Sequence, residues 1–136
     1  MTTGFVAKNA TINVTINAPL QSTTVPLVSI FGWIIIHQHL GDSFNWQLSW
    51  NNYTKGFGSI DADFWLGLDN MHYLTGSQDY RLRVEMERSW PNLWYSAEYW
   101  TFRVGPGFTK YRLEVSGYSG DAGDSLQYDV TSSHCG

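Results

Sequence analysis

Residues 80 to 87 alternate without a break: Tyr80, Leu82, Val84 and Met86 are apolar, while Arg81, Arg83, Glu85 and Glu87 are charged. Side chains on a strand point to opposite faces in turn, so this run predicts a strand with one face in a core and one in water. Trp100, Phe102 and Val104 repeat the pattern, Gly105-Pro106-Gly107 turns the chain, and Tyr111, Leu113 and Val115 alternate with Arg112, Glu114 and Ser116. Three alternating runs joined by turns predict an antiparallel meander.

Upstream, the apolar spacing changes. Trp46, Trp50, Tyr53 and Phe57 fall on one face of a helix, which Gly56 and Gly58 are expected to stop. Trp33 to His37 is a short β-branched run that predicts a buried strand. After the apolar stretch Phe64 to Leu68, Asp69 suits the N-cap of a short helix through Leu74, closed by Thr75-Gly76. Helical segments followed by a meander give an α+β class. Residues 1–29 differ: they are rich in Thr, Ser, Asn and Val, lack Trp and Tyr, and contain Pro19 and Pro26. Within them Thr11 to Thr15 predicts only a short exposed strand with little apolar area to bury, and the segment as a whole is expected to be a disordered or non-native leader.

A chain of 136 residues is one domain by length. Its 16% aromatic content supplies the ring surface that disordered chains lack. A net charge of −4 offers no basic field to nucleic acid. The single Cys135 excludes a disulfide framework. The most apolar stretch, Val25 to Ile36, is shorter than the ~18 residues a membrane span needs. It also follows some two dozen polar residues and no basic start, so no signal peptide is visible in this sequence.

Several groupings bear on chemistry. His37 and His39 point to the same side of a strand, but zinc needs a third or fourth ligand at a defined spacing, which His72 and His134 do not provide. Gly117-Tyr118-Ser119-Gly120-Asp121 departs from a nucleophile elbow at its last residue and precedes no helix. Glu85 and Glu87 share a strand face, as paired glycosidase carboxylates do, yet Arg81, Arg83 and Arg88 beside them predict a salt-bridged solvent face. Asp121, Asp124 and Asp129 lie in a Gly-rich stretch that reads either as a cation loop or as turn-forming residues. Cys135 next to His134 lacks the fixed electropositive setting of a reactive thiolate and reads as an unpaired half-cystine. Asn9, Asn13 and Asn52 each begin an Asn-x-Ser/Thr triplet, which matters in a secreted chain.

Trp50-x-x-Tyr53-x-x-Gly56-Phe57-Gly58 and Phe64-Trp65-Leu66-Gly67-Leu68-Asp69-Asn70-Met71-His72-x-Leu74-Thr75 closely resemble the fibrinogen C-terminal (fibrinogen-related) domain. The likeness continues through Tyr80-x-Leu82-Arg83-Val84, Phe102-Arg103-Val104-Gly105 and Tyr111-Arg112-Leu113. It ends in Ser116-Gly117-Tyr118-Ser119-Gly120-x-Ala122-Gly123-Asp124-Ser125-Leu126 and covers Gly32 to about Tyr128. The resemblance implies short helices plus a central antiparallel sheet, in a secreted or extracellular, non-enzymatic module. It also implies a ligand that is a glycan or a protein, bound in a lectin-like, adhesive or innate-immune role. The alternative is a structural or matrix-assembly module making protein contacts through the sheet, with self-association through the same surface.

Departures from the family pattern set further expectations. The opening Ser29-Ile30-Phe31-Gly32-Trp33 lacks the family's cysteine, so residues 30–136 are expected to be a partial domain. After Tyr128 the tail resembles the end of the family's calcium loop with the preceding stretch missing. The loop-rich downstream subdomain is accordingly expected to be truncated, and ligand binding impaired. Aligned on Cys135, Asp129, Thr131 and Ser133 correspond to calcium-loop positions, while Gln127 stands where the first aspartate belongs. One carboxylate and two carbonyls are too few for Ca2+, which takes six to eight oxygens, so weak or no calcium binding is expected and no cofactor is assigned. In this register Cys135 is a half-cystine without its partner.

Overall fold

The structure, a computed structural model, describes residues 11–17, 29–30, 32–41, 45–89 and 92–126. Its strands are β1 (Thr11–Asn17), β2 (Ser29–Ile30), β3 (Trp33–His39), β4 (Phe57–Gly58), β5 (Phe64–Trp65), β6 (Tyr80–Ser89), β7 (Asn92–Val104) and β8 (Leu113–Gly120). Among the described residues, helices α1 (Trp50–Lys55) and α2 (Leu68–Ser77) and a 3-10 turn at Gly107–Thr109 complete the order. All eight strands form one sheet in the order β4-β5-β3-β1-β6-β7-β8, with β2 paired to β3. Every pairing is antiparallel. The expected meander is β6-β7-β8, and the class is α+β.

The core lies between the sheet and α2. Ile16, Ile34, Leu82, Ala97, Tyr99, Phe102 and Val104 meet Leu66, Met71 and Leu74 there. Removing that apolar area from water is the main term that holds helix to sheet. Gly67 precedes α2 with φ +106°, and a Cβ on it would sit 2.7 Å from the carbonyl carbon of Lys55. The close approach of α2 to the end of α1 therefore requires glycine.

Four sequence expectations need correction. Thr11–Asn17 is neither short and exposed nor a disordered leader: it is an interior strand, paired with β3 on one side and β6 on the other. Ile12 and Ile16 are buried there, on the strand face that also carries Val14. The helix through Trp46, Trp50, Tyr53 and Phe57 shrinks to Trp50–Lys55, with Ser49 as N-cap, and Phe57 begins β4. The four-ring spacing still marks a cluster: Phe57 lies 5.2 Å from Trp46 and 5.0 Å from Tyr53 between ring centroids.

The third correction concerns α2, which starts after Gly67 and runs through Thr75 and Gly76 to Ser77. Thr75 does not close the helix but lies within it, its hydroxyl donating to the Met71 carbonyl one turn back at 2.8 Å. The fourth concerns Trp100, which is 66% exposed although Phe102 and Val104 are buried. The register of β6 against β7 shifts between Tyr80 and Leu82, and that irregularity changes the phase of the alternation. Tyr111 precedes β8, and Leu113 is exposed despite its apolar side chain.

Candidate recognition surface

The sheet has two unlike faces. Beside α2, its inner face opens into a cavity of about 290 Å³ whose lining includes Ile12, Val14, Val84, Met86, Ala97 and Leu126. The other face carries the charged half of the β6 alternation. There Arg83 donates to Glu98 at 2.7 Å and to Glu85 at 3.3 Å, so that part of the expected salt-bridged solvent face is present. Such half-exposed pairs contribute little to stability. Trp94 and Trp100, 51% and 66% exposed, also lie on β7.

At the β3 end, Asp63 collects three donors. The Leu40 N–H reaches one carboxylate oxygen at 2.8 Å, while Trp46 Nε1 at 2.9 Å and His39 Nδ1 at 3.1 Å reach the other. Burial pushes the Asp63 carboxyl up, but these hydrogen bonds together hold it below its ordinary value. His37 sits edge-on to Trp46 and Trp65, with ring centroids 5.0 and 5.4 Å away, and its Nδ1–H donates to the Phe64 carbonyl at 3.2 Å. Burial pushes its imidazole down to about 4. The His-x-His pair is thus engaged structurally: one imidazole is packed among indoles and the other anchors a carboxylate. Asp63 had no signal in the sequence, because its donors come from residues 17 to 24 positions away.

The aspartates of the Gly-rich stretch serve the turn after β8. Asp121 accepts the Ser96 N–H at 2.8 Å, and Asp124 accepts the Tyr99 hydroxyl at 2.9 Å. Burial, followed by that hydrogen bond, pushes the Tyr99 phenol up to about 12. Among the described residues no three His, Cys, Asp or Glu side chains group so as to hold a metal ion. Among the same residues no helix is long and apolar enough to cross a membrane. Asp129, Thr131, Ser133, Cys135 and Asn9 lie outside the described residues. Asn52 is exposed on α1, whereas Asn13 stands in mid-β1 between Gln38 and Glu85.

A family profile described as the C-terminal globular domain of fibrinogen beta and gamma chains matches residues 28–136. Fibrinogen-like protein A of Apostichopus parvimensis is 45% identical over 100 residues, covering 74% of this chain and 35% of the relative. Angiopoietin-related protein 1 of Homo sapiens is 38% identical over 112 residues, covering 82% of this chain and 23% of the relative. Lamprey fibrin D-dimer, solved with the peptide ligand Gly-His-Arg-Pro-amide, superposes with a TM-score of 0.68 at 31% identity, covering 93% of this chain and 42% of that one. The chain therefore spans about a third or less of these relatives' length and under half of the solved structure.

Proposed function

Because the chain belongs to the fibrinogen C-terminal domain family, we propose that it is a non-catalytic, extracellular recognition module that binds a protein ligand. The observation that carries this reading is the peptide ligand held by the structurally similar lamprey fibrin. The sheet supports it with an apolar inner face and, on the other face, exposed Trp94 and Trp100, the kind of surface that marks interaction sites. A glycan ligand is the lectin-like form of the same proposal. The matrix-assembly reading is favoured by the exposed tryptophans, which need no metal to make a contact. Asp129, Thr131 and Ser133 are proposed as a calcium-loop remnant too poor in carboxylates to bind Ca2+ tightly, and Asn52 as the accessible glycosylation acceptor.

The test is a binding assay of the folded chain against a panel of purified extracellular proteins and an acetylated-sugar resin, with and without a chelator. Saturable protein binding that survives chelation is expected, with no retention on the resin. Calcium-dependent retention on the resin alone would replace the protein-ligand reading with the lectin-like one. A micromolar calcium affinity by calorimetry would overturn the remnant assignment.

A further inference from the structure

A row of side chains crosses four neighbouring strands of the sheet: Trp33 on β3, Asn17 on β1, Arg81 on β6 and Trp100 on β7. Asn17 pairs with Trp33, and its side-chain oxygen accepts the Arg81 backbone N–H. The Arg81 guanidinium lies over both indoles, 4.7 Å from the Trp100 ring centroid and 5.5 Å from that of Trp33. Strand spacings of about 4.8 Å put the β3 and β7 backbones about 14 Å apart, so the arginine fills the gap between two rings that do not touch.

Trp100 also rests on the neighbouring strand β8. Gly117 has φ +77°, and a Cβ there would stand 2.8 Å from Trp100 Cβ, so the indole lies against bare backbone of β8. Trp100 nevertheless remains 66% exposed. The neighbouring arginine, Arg83, is neutralised by Glu98 and Glu85, and Arg103 pairs with Asp79 at 3.2 Å. Among the described residues the Arg81 guanidinium meets no carboxylate.

Stacking on aromatic rings uses the faces of a guanidinium and leaves its N–H edge in plane, where the fork matches a carboxylate. Two flanking indoles supply apolar walls for whatever carries that carboxylate. Trp and Arg are also the residue types that carry most of the energy of protein interfaces. We propose that Trp33, Arg81 and Trp100 form a docking site for an acidic side chain of a protein partner, with an adjacent apolar residue of that partner packing on Trp100. The proposal rests on the protein-binding reading given above. The chain's net charge of −4 makes the attraction local, so long-range steering is not expected to assist it.

The test titrates the full chain with a synthetic peptide of alternating Glu and Leu and with its Gln-for-Glu analogue, following the indole N–H signals of Trp33 and Trp100 by NMR. The Glu peptide should shift both signals saturably, with the analogue weaker by roughly tenfold or more. Arg81→Gln should weaken the Glu peptide by a similar factor, and Arg81→Lys, which keeps the charge but loses the guanidinium fork, should fall between. Trp100→Ser should weaken it too, with an unchanged circular dichroism spectrum that excludes misfolding. Unmoved signals at millimolar peptide, equal binding of the two peptides, or undiminished binding by Arg81→Gln would overturn the site. A response to free glucuronate without one to the peptide would overturn the protein source. If a protein ligand from the binding panel kept its affinity for both Arg81→Gln and Trp100→Ser, the recognition function would stand and this docking site would fall.

Discussion

The hydroxyl of Thr75, fully buried, accepts the backbone N–H of Val104 at 2.9 Å and thereby ties α2 to the last residue of β7. The same hydroxyl donates to Met71, so one oxygen satisfies two groups that have no water to turn to. Thr75→Val keeps the volume and leaves the Val104 N–H unpaired in the core. A loss of about 1–3 kcal/mol is expected, read as a lower urea midpoint with an unchanged slope.

His37 makes stability depend on pH. The groups around it are Trp46, Trp65, the Phe64 carbonyl, His39 and Asp63. Its imidazole titrates near 6.5 when unfolded and about 4 when folded, so the unfolded chain binds more protons between these values. Stability is therefore complete above pH 6.5 and falls as pH drops toward 4, by on the order of 3 kcal/mol. Thermal midpoints measured from pH 7 to 4 should show the fall, and His37→Gln should flatten it.

Asp63 acts in a lower window and with a different signature. Its carboxyl is held below the ordinary value, so the stability it contributes is present above that value and lost as pH falls through the folded one. Asp63→Asn turns an acceptor into a donor facing Leu40 N–H, Trp46 Nε1–H or His39 Nδ1. A cost of about 2–3 kcal/mol is expected, with Trp46 more exposed to an aqueous quencher of its fluorescence.

How much of this was legible follows from how local each cause is. Leu82 and Val84 could be read because a half-buried strand writes its burial into its own alternation. Ile16 sits in the same kind of alternation, Ile12, Val14 and Ile16 against Thr11, Asn13, Thr15 and Asn17, but a polar-flanked run of seven residues does not say that β3 and β6, distant in sequence, enclose it on both sides. The alternation alone puts Trp100 on the face of Phe102 and Val104, because the shift between Tyr80 and Leu82 changes the phase without altering any residue type. The Trp33–Arg81–Trp100 row depends on strand order, which no spacing along the chain encodes. Family motifs supplied the fold where periodicity did not, but Asp63 and Arg81 take their roles from contacts that only the folded sheet assembles.

Asn52 and Asn13 both begin glycosylation triplets, yet only Asn52 is exposed, on the short helix α1. Secreted from a eukaryotic host, the chain should lose one mass step on Asn52→Gln and none on Asn13→Thr. A mass step lost on Asn13→Thr would show that β1 is modified before it enters the sheet.

Asn13 also predicts a gain in stability. Its side-chain oxygen is buried without a hydrogen-bond partner, in a strand paired on both sides. A buried acceptor left unpaired costs about 1–3 kcal/mol, and asparagine is itself depleted in strands. Thr at this position removes the unpaired carboxamide and restores a β-branched side chain, so Asn13→Thr should stabilise the chain by about 1 kcal/mol. For a domain of this size that is a rise of a few degrees in Tm, measurable by differential scanning calorimetry. A fall in Tm would mean that the carboxamide of Asn13 holds β1 in its register between Gln38 and Glu85.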